Sequence, residues 1–181
     1  PLEDYSWIGK PRVAITNDTT GHGGIGFFIH NKIRSRVSEI TTPNPHPDVL
    51  WIQILSGSKT VYIALTYSSP NKDDNHDSIL TCIRKDMTIL GTTGIPIIMG
   101  DLNAHLPALT GDRQDRPTTR RDTALKKFLV NTSCEPLTNK TQINNRDHYT
   151  FQGPTGKWPS VIDYILAPSG AAHVKNCTTH Q

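Results

Sequence analysis

The chain is poor in cysteine. Its three residues, Cys82, Cys134 and Cys177, are an odd number with no CxxC pairing. That argues against a disulfide frame and a cysteine-based zinc site, and fits reduced thiols in a reducing compartment. No apolar stretch approaches the ~20 residues that a membrane span needs. The opening PLEDYSWIGKPR lacks a basic segment followed by an apolar run, so it does not read as a secretory signal. It also lacks an initiator Met, and the chain is expected to start inside a longer polypeptide. Charge of one sign is not in large excess. A formal net charge of +3 permits a nucleic-acid partner without demanding one, because local patches matter more than the total. No internal repeat or linker is visible.

What is present fits one globular domain. There are 181 residues, 35% hydrophobic and 19% charged, enough for a sizeable core. Arg12 to Thr16 and Ile25 to His30 read as strands around a glycine-rich turn. Asn31 and Lys32 suit a turn before Ile33 to Ile40. TTPNPHPD, residues 41–48, holds three prolines and reads as a surface loop. Val49 to Leu55 and Thr60 to Thr66 alternate apolar and polar residues across Ser56-Gly57-Ser58-Lys59, which predicts a hairpin. Ile79, Cys82, Ile83, Met87, Ile89 and Leu90 recur at near-helical spacing, which predicts a helix over about 76–91. Pro96 to Gly100 reads as a buried strand, Ala104 to Pro117 as a long loop and Arg120 to Asn131 as a second helix. Tyr149 to Phe151 and Val161 to Leu166 read as further strands. Hairpins mixed with two widely spaced helices give an α/β fold with a mixed or largely antiparallel sheet.

Several stretches carry candidate chemistry. Gly21-His22-Gly23-Gly24-Ile25-Gly26 spells GxGxxG, but a dinucleotide site needs a helix to open at the third glycine, and strand-like Phe27-Phe28-Ile29 follows instead. A hairpin turn is the better reading. In Gly100-Asp101-Leu102-Asn103-Ala104-His105 a buried strand ends and projects a carboxylate and a carboxamide at alternate positions. A carboxylate there can hold a hard cation or orient a water, and a carboxamide can bind a phosphate oxygen. Gly, Asp and Asn also favour plain turns, so site and turn are equally compatible with this stretch alone. Tyr67 ends a strand, where its phenol could reach a phosphate or simply pack. Asp163 lies inside an apolar strand, where a carboxylate is costly without a partner, whether the partner is catalytic or a structural hydrogen bond. Arg113, Arg116, Arg120, Arg121, Lys126 and Lys127 cluster, diluted by Asp112, Asp115 and Asp122. They make either a phosphate-contacting patch or a solvated face. His22, His30, His46, His76, His148 and His173 have no metal-ligand spacing and read as surface residues.

Together these residues resemble the endonuclease/exonuclease/phosphatase superfamily, and within it the apurinic-like endonuclease domain of non-LTR (LINE-type) retrotransposons. Four elements stand in that family's order. They are Tyr67-Ser68-Ser69-Pro70-Asn71, Gly100-Asp101-Leu102-Asn103, Thr150-Phe151 with Pro154 and Gly156, and Ser160-Val161-Ile162-Asp163-Tyr164-Ile165. The resemblance covers nearly the whole chain, with Gly23 to Ile29 and Arg120 to Leu129 similar to a glycine-led strand and a helix of the family. It implies a DNase I-like four-layer α/β sandwich, two packed mixed and largely antiparallel sheets with helices outside, here incomplete at both termini. It also implies that Asp101 orients or deprotonates the attacking water and that Asn103 holds the water or a phosphate oxygen. Tyr67 would donate to the scissile phosphate, and Asp163 would pair with a histidine. Thr150, Ser160, Asn71, Arg120 and Arg121 would contact DNA or its phosphates. Mg²⁺ or Mn²⁺ would be the cofactor, with Asp101 a ligand.

Two departures qualify this. The family's metal-binding Glu belongs to a Gln-Glu-Thr-like strand, and Glu3 has the wrong context for it. The histidine partner of Asp163 belongs to a Ser-Asp-His element, which the Thr-Thr-His context of His180 does not match. The resemblance therefore implies a Mg²⁺-dependent endonuclease domain that nicks target DNA, with a reverse transcriptase domain in the same polyprotein. The expected setting is intracellular and nuclear, as a monomer. This chain alone is expected to be a poor nuclease or none. The competing reading is a non-catalytic nucleic-acid- or protein-binding remnant of the same fold.

Overall fold

The computed structural model describes residues 2–11, 23–70, 73–110, 117–137, 149–152 and 160–170. Strand β1, Tyr5–Pro11, pairs antiparallel with β2, Gly24–His30. A 3-10 turn, Asn31–Arg36, follows, so the extended run expected from Ile33 shortens to β3, Val37–Ile40. Lys32 donates its backbone N–H to His30 Nδ1 at 3.1 Å, which caps that turn. The hairpin β4, Val49–Ser56, and β5, Lys59–Tyr67, turns at Gly57, whose φ of +60° is easy only for glycine. Helix α1, Asp73–Leu90, then crosses over to β6, Ile95–Asp101, which lies parallel to β5. A short helix α2, Pro107–Thr110, interrupts the loop that leads to α3, Arg120–Thr132. Strands β7, Cys134–Pro136, and β8, Asp163–Pro168, complete a six-stranded mixed sheet in the order β3-β4-β5-β6-β8-β7.

The alternation of β4 and β5 explains the layers. Val49, Trp51, Tyr62 and Ala64 face one way and pack with Ile79, Ile83, Leu125 and Phe128 of α1 and α3. Leu50, Ile52 and Ile63 face the other way, against Ile8 and Ile29 of the β1–β2 pair. Each face buries its apolar half, as a period of two requires. Among the described residues the layers are thus three: a two-stranded sheet, a six-stranded mixed sheet, and helices.

Two expectations are settled or corrected here, and a third falls outside the described residues. β2 is a strand from Gly24 onward, so no helix opens at the third glycine and the GxGxxG spelling is not a dinucleotide loop. Tyr149 to Phe151 contributes only a single bridge, Phe151 to Ser160. The strand expected at Arg12 to Thr16 lies outside the described residues. Cys82 and Cys134 are free thiols and buried. Among the described residues no helix is long and apolar enough to cross a membrane.

Candidate active site

Strands β5 and β6 end, and β8 begins, at one edge of the sheet. Register makes Tyr67 the neighbour of Asp101, and Asp101 the neighbour of Asp163. Three residues 96 positions apart at their extremes thus form one row across three adjacent strands. Alternation places the row on the same face as Leu65, Met99 and Ile165, the face that carries the β1–β2 sheet further along. The row can form because β5 and β6 approach closely at Gly100. Its φ is +132°, and a Cβ there would drive into the carbonyl oxygen of Thr66.

Beyond Asp101 the chain keeps alternating. Leu102, Ala104 and Leu106 are buried in the helix-side core. That leaves Asp101, Asn103 and His105 on the outer side, half-buried. Asn103 adopts a left-handed φ of +44° and donates its N–H to Asp101 Oδ1 at 2.8 Å. Its Nδ2 donates to the Ser68 carbonyl at 2.8 Å, and the Ser68 N–H donates to the Asp101 carbonyl at 2.8 Å. The stretch is both a turn and a site. The turn that Asp101 and Asn103 make is what binds them to the loop after Tyr67. On the far side, Tyr67 donates its N–H to the Asp48 carbonyl at 3.3 Å and lines a cavity of about 290 Å³ shared with Lys10 and Ile25.

Asp101 is electrostatically out of the ordinary. Burial pushes its carboxyl up to about 6, and repulsion from Asp163 adds to the rise, while the hydrogen bond from Asn103 opposes it. Two carboxylates directly opposite each other across paired strands repel.

The other expected residues have different surroundings. Thr150 Oγ1 accepts the N–H groups of Ile162 and Asp163, both at 3.1 Å, so its hydroxyl fixes the start of β8. Ser160 is 9% exposed, which leaves little surface for a DNA backbone. Arg120 is bound to Asp77 and, at 3.5 Å, to Asp74 of α1. Arg121 is 6% exposed and bonded to Asp73 and Ser69. The Arg121 guanidinium is thus committed inside the protein, whereas Arg120 remains exposed and engages α1 through one nitrogen. Asn71, Arg113, Arg116 and His180 lie outside the described residues. His76 is not a surface residue. It is fully buried, with Nδ1 3.0 Å from Ser68 Oγ, and Nε2 has no partner among the described residues. Burial, with the Arg121 charge nearby, lowers its pKa below the usual histidine value. Ser68 itself escaped sequence reasoning, although it lies beside Tyr67 and is wholly buried.

The profile of the Endonuclease/Exonuclease/phosphatase family matches residues 2–180. The chain belongs to that family. Among solved structures, it resembles the endonuclease domain of TRAS1, a telomere-specific non-LTR retrotransposon, at 20% identity and a TM-score of 0.63, covering 92% of this chain and 68% of that one. It also resembles the Xenopus laevis APE2 catalytic domain, at 16% identity and a TM-score of 0.65, covering 93% and 68%. A third likeness is to the 3′ phosphatase NExo from Neisseria, solved with a product DNA hairpin, at 13% identity, a TM-score of 0.61 and coverage of 93% and 68%. These likenesses establish a DNase I-like fold, and the chain spans about two thirds of each structure's length. No curated protein matches by sequence search. Within this family fold, the row at the end of β5, β6 and β8 is the candidate active site.

Proposed function

We propose that this domain is a Mg²⁺- or Mn²⁺-dependent phosphodiesterase that nicks target DNA, of the kind non-LTR retrotransposons use to prime reverse transcription. The carrying observation is the in-register row Tyr67–Asp101–Asp163 with Asn103 tied to it. A general base works best with a pKa near the operating pH, and the raised Asp101 carboxyl meets that requirement in the ion-free site; beside a bound cation it stays ionised and orients the water instead. Asn103 uses its amide nitrogen on the Ser68 carbonyl, which leaves its carbonyl oxygen as the acceptor for a water proton. The Tyr67 phenol donates to a phosphate oxygen, and Asp163 holds a charged partner against the same phosphate.

The donor set fits a hard divalent cation. Two neighbouring carboxylates, one partly desolvated, gain from an oxygen-seeking charge, and Mg²⁺ commonly takes one or two carboxylates with substrate phosphate and water. Asp101 is the residue that would hold it, and when bound the ion would neutralise charge on the phosphate. The likeness to the TRAS1 endonuclease domain and the four ordered motifs support the retrotransposon setting. On that reading the DNA-cutting domain acts in the nucleus, as a monomeric unit of a polyprotein that also carries a reverse transcriptase.

A second reading is a nucleic-acid-binding module without turnover. One observation favours it: among the described residues no third carboxylate, histidine or cysteine joins the pair in a metal-holding group. Supercoiled plasmid separates the two. Slow Mg²⁺-dependent nicking that disappears in Asp101→Ala supports the phosphodiesterase. Tight DNA binding with no nicking in either protein supports the binding module.

A further inference from the structure

We propose that Arg121 is a positioning residue that, with its neighbour Asp122, makes the first turn of α3 a clamp on both loops carrying the site. This rests on the phosphodiesterase reading above. Arg121 spreads its planar fork in three directions. Nη2 donates to the Ser69 carbonyl at 2.7 Å, Nε to Asp73 Oδ1 at 2.7 Å, and Nη1 reaches Ser68 Oγ at 3.5 Å. It therefore holds the loop that follows Tyr67. Asp122 grips the other loop. Its Oδ1 accepts the His105 N–H at 2.7 Å, while Oδ2 accepts the Thr119 N–H at 2.7 Å and closes the capping box.

Between the two grips, Ser68 joins the loops directly. Its N–H, carbonyl and hydroxyl engage Asp101, Asn103 and His76. Asn103 needs this support, because a left-handed φ in a residue with a side chain persists only when its surroundings over-determine it. A buried guanidinium is costly to desolvate, and this one directs its hydrogen bonds at α1 and the loop. Lysine cannot replace it, since an ammonium is a point charge and lacks the fork that spans two carbonyl and carboxylate partners at once.

The test compares wild type, Arg121→Lys and Arg121→Met as the whole chain. Three readouts are plasmid nicking in Mg²⁺, DNA affinity as a function of salt, and amide exchange. A clamp predicts kcat lower by roughly 10- to 100-fold in both variants, the scale of a slight misplacement of reacting groups. It predicts a DNA Kd within about twofold of wild type and an unchanged salt slope. It also predicts faster exchange at Ser68, Ser69 and Asn103–His105 with exchange in β4 unchanged. A phosphate contact predicts the reverse: Arg121→Lys retains activity and Arg121→Met lowers the salt slope by about 1. Either of those results, or unchanged loop exchange, overturns the proposal. If wild type binds DNA without nicking it, the phosphodiesterase reading fails, and the exchange pattern still decides whether the clamp exists.

Discussion

Asp101 carries the largest electrostatic tension in the site. A carboxyl whose folded pKa is about 6, against an ordinary 3.8, binds its proton more tightly when folded. Its contribution to stability is complete below the unfolded value and is lost as the pH rises through 6. At pH 8 the native state therefore bears a cost of about 1–2 kcal/mol, discounted because the group is half-exposed. Asp101→Asn keeps the acceptor for the Asn103 N–H and removes the charge. We expect it to abolish nicking and raise the thermal midpoint by roughly 3–5 °C at pH 8, a gain that vanishes below pH 4. A variant less stable than wild type at pH 8 would contradict the assignment. At this scale the sequence showed the candidate groups but not their supports. Tyr67, Asn103 and Asp163 stand in short ordered motifs. Ser68, Arg121 and Asp122 act through backbone carbonyls and N–H groups up to 52 residues away, which spacing does not encode. His76 was legible in principle, since it shares the stripe of Ile79, Leu80 and Ile83 at helical spacing, and a polar letter on that stripe is easily assigned to water.

Among the elements, the β5–α1–β6 crossover sets the site. It brings two strand ends side by side, and Gly100 permits their close approach. Gly100→Ala places a Cβ against the Thr66 carbonyl at a φ that side chains rarely adopt. The expected loss is about 2–4 kcal/mol, read as a lower urea midpoint. A change under about 0.5 kcal/mol would show that the strands are not so tightly apposed. Helices α1 and α3 and the β4–β5 hairpin were visible in the sequence, because each carries a long periodic pattern. Strand β1 was not, since Gly9 and Pro11 dilute it and only Ile8 is buried. β7 is three residues long and has no periodicity to read.

At the scale of the whole molecule, one sheet has two unlike faces. The helix side is closely packed. The other side buries Ile52 under the β1–β2 pair but leaves Leu65, Met99 and Ile165 half-buried, leading to the acidic row. The fold thus presents its carboxylates at the strand ends of this half-buried face, where partial desolvation raises the Asp101 pKa. The central claim is that Asp101 and Asp163 form one electrostatic unit suited to a divalent cation and a phosphate. Carboxyl-carbon NMR titration of both residues, with and without Mg²⁺, tests it most directly. The account predicts that Asp101 titrates near 6, shifts down in Asp163→Asn, and shifts down again when Mg²⁺ is added to wild type. An Asp101 that titrates as an ordinary carboxylate and ignores both Asp163 and Mg²⁺ would contradict it.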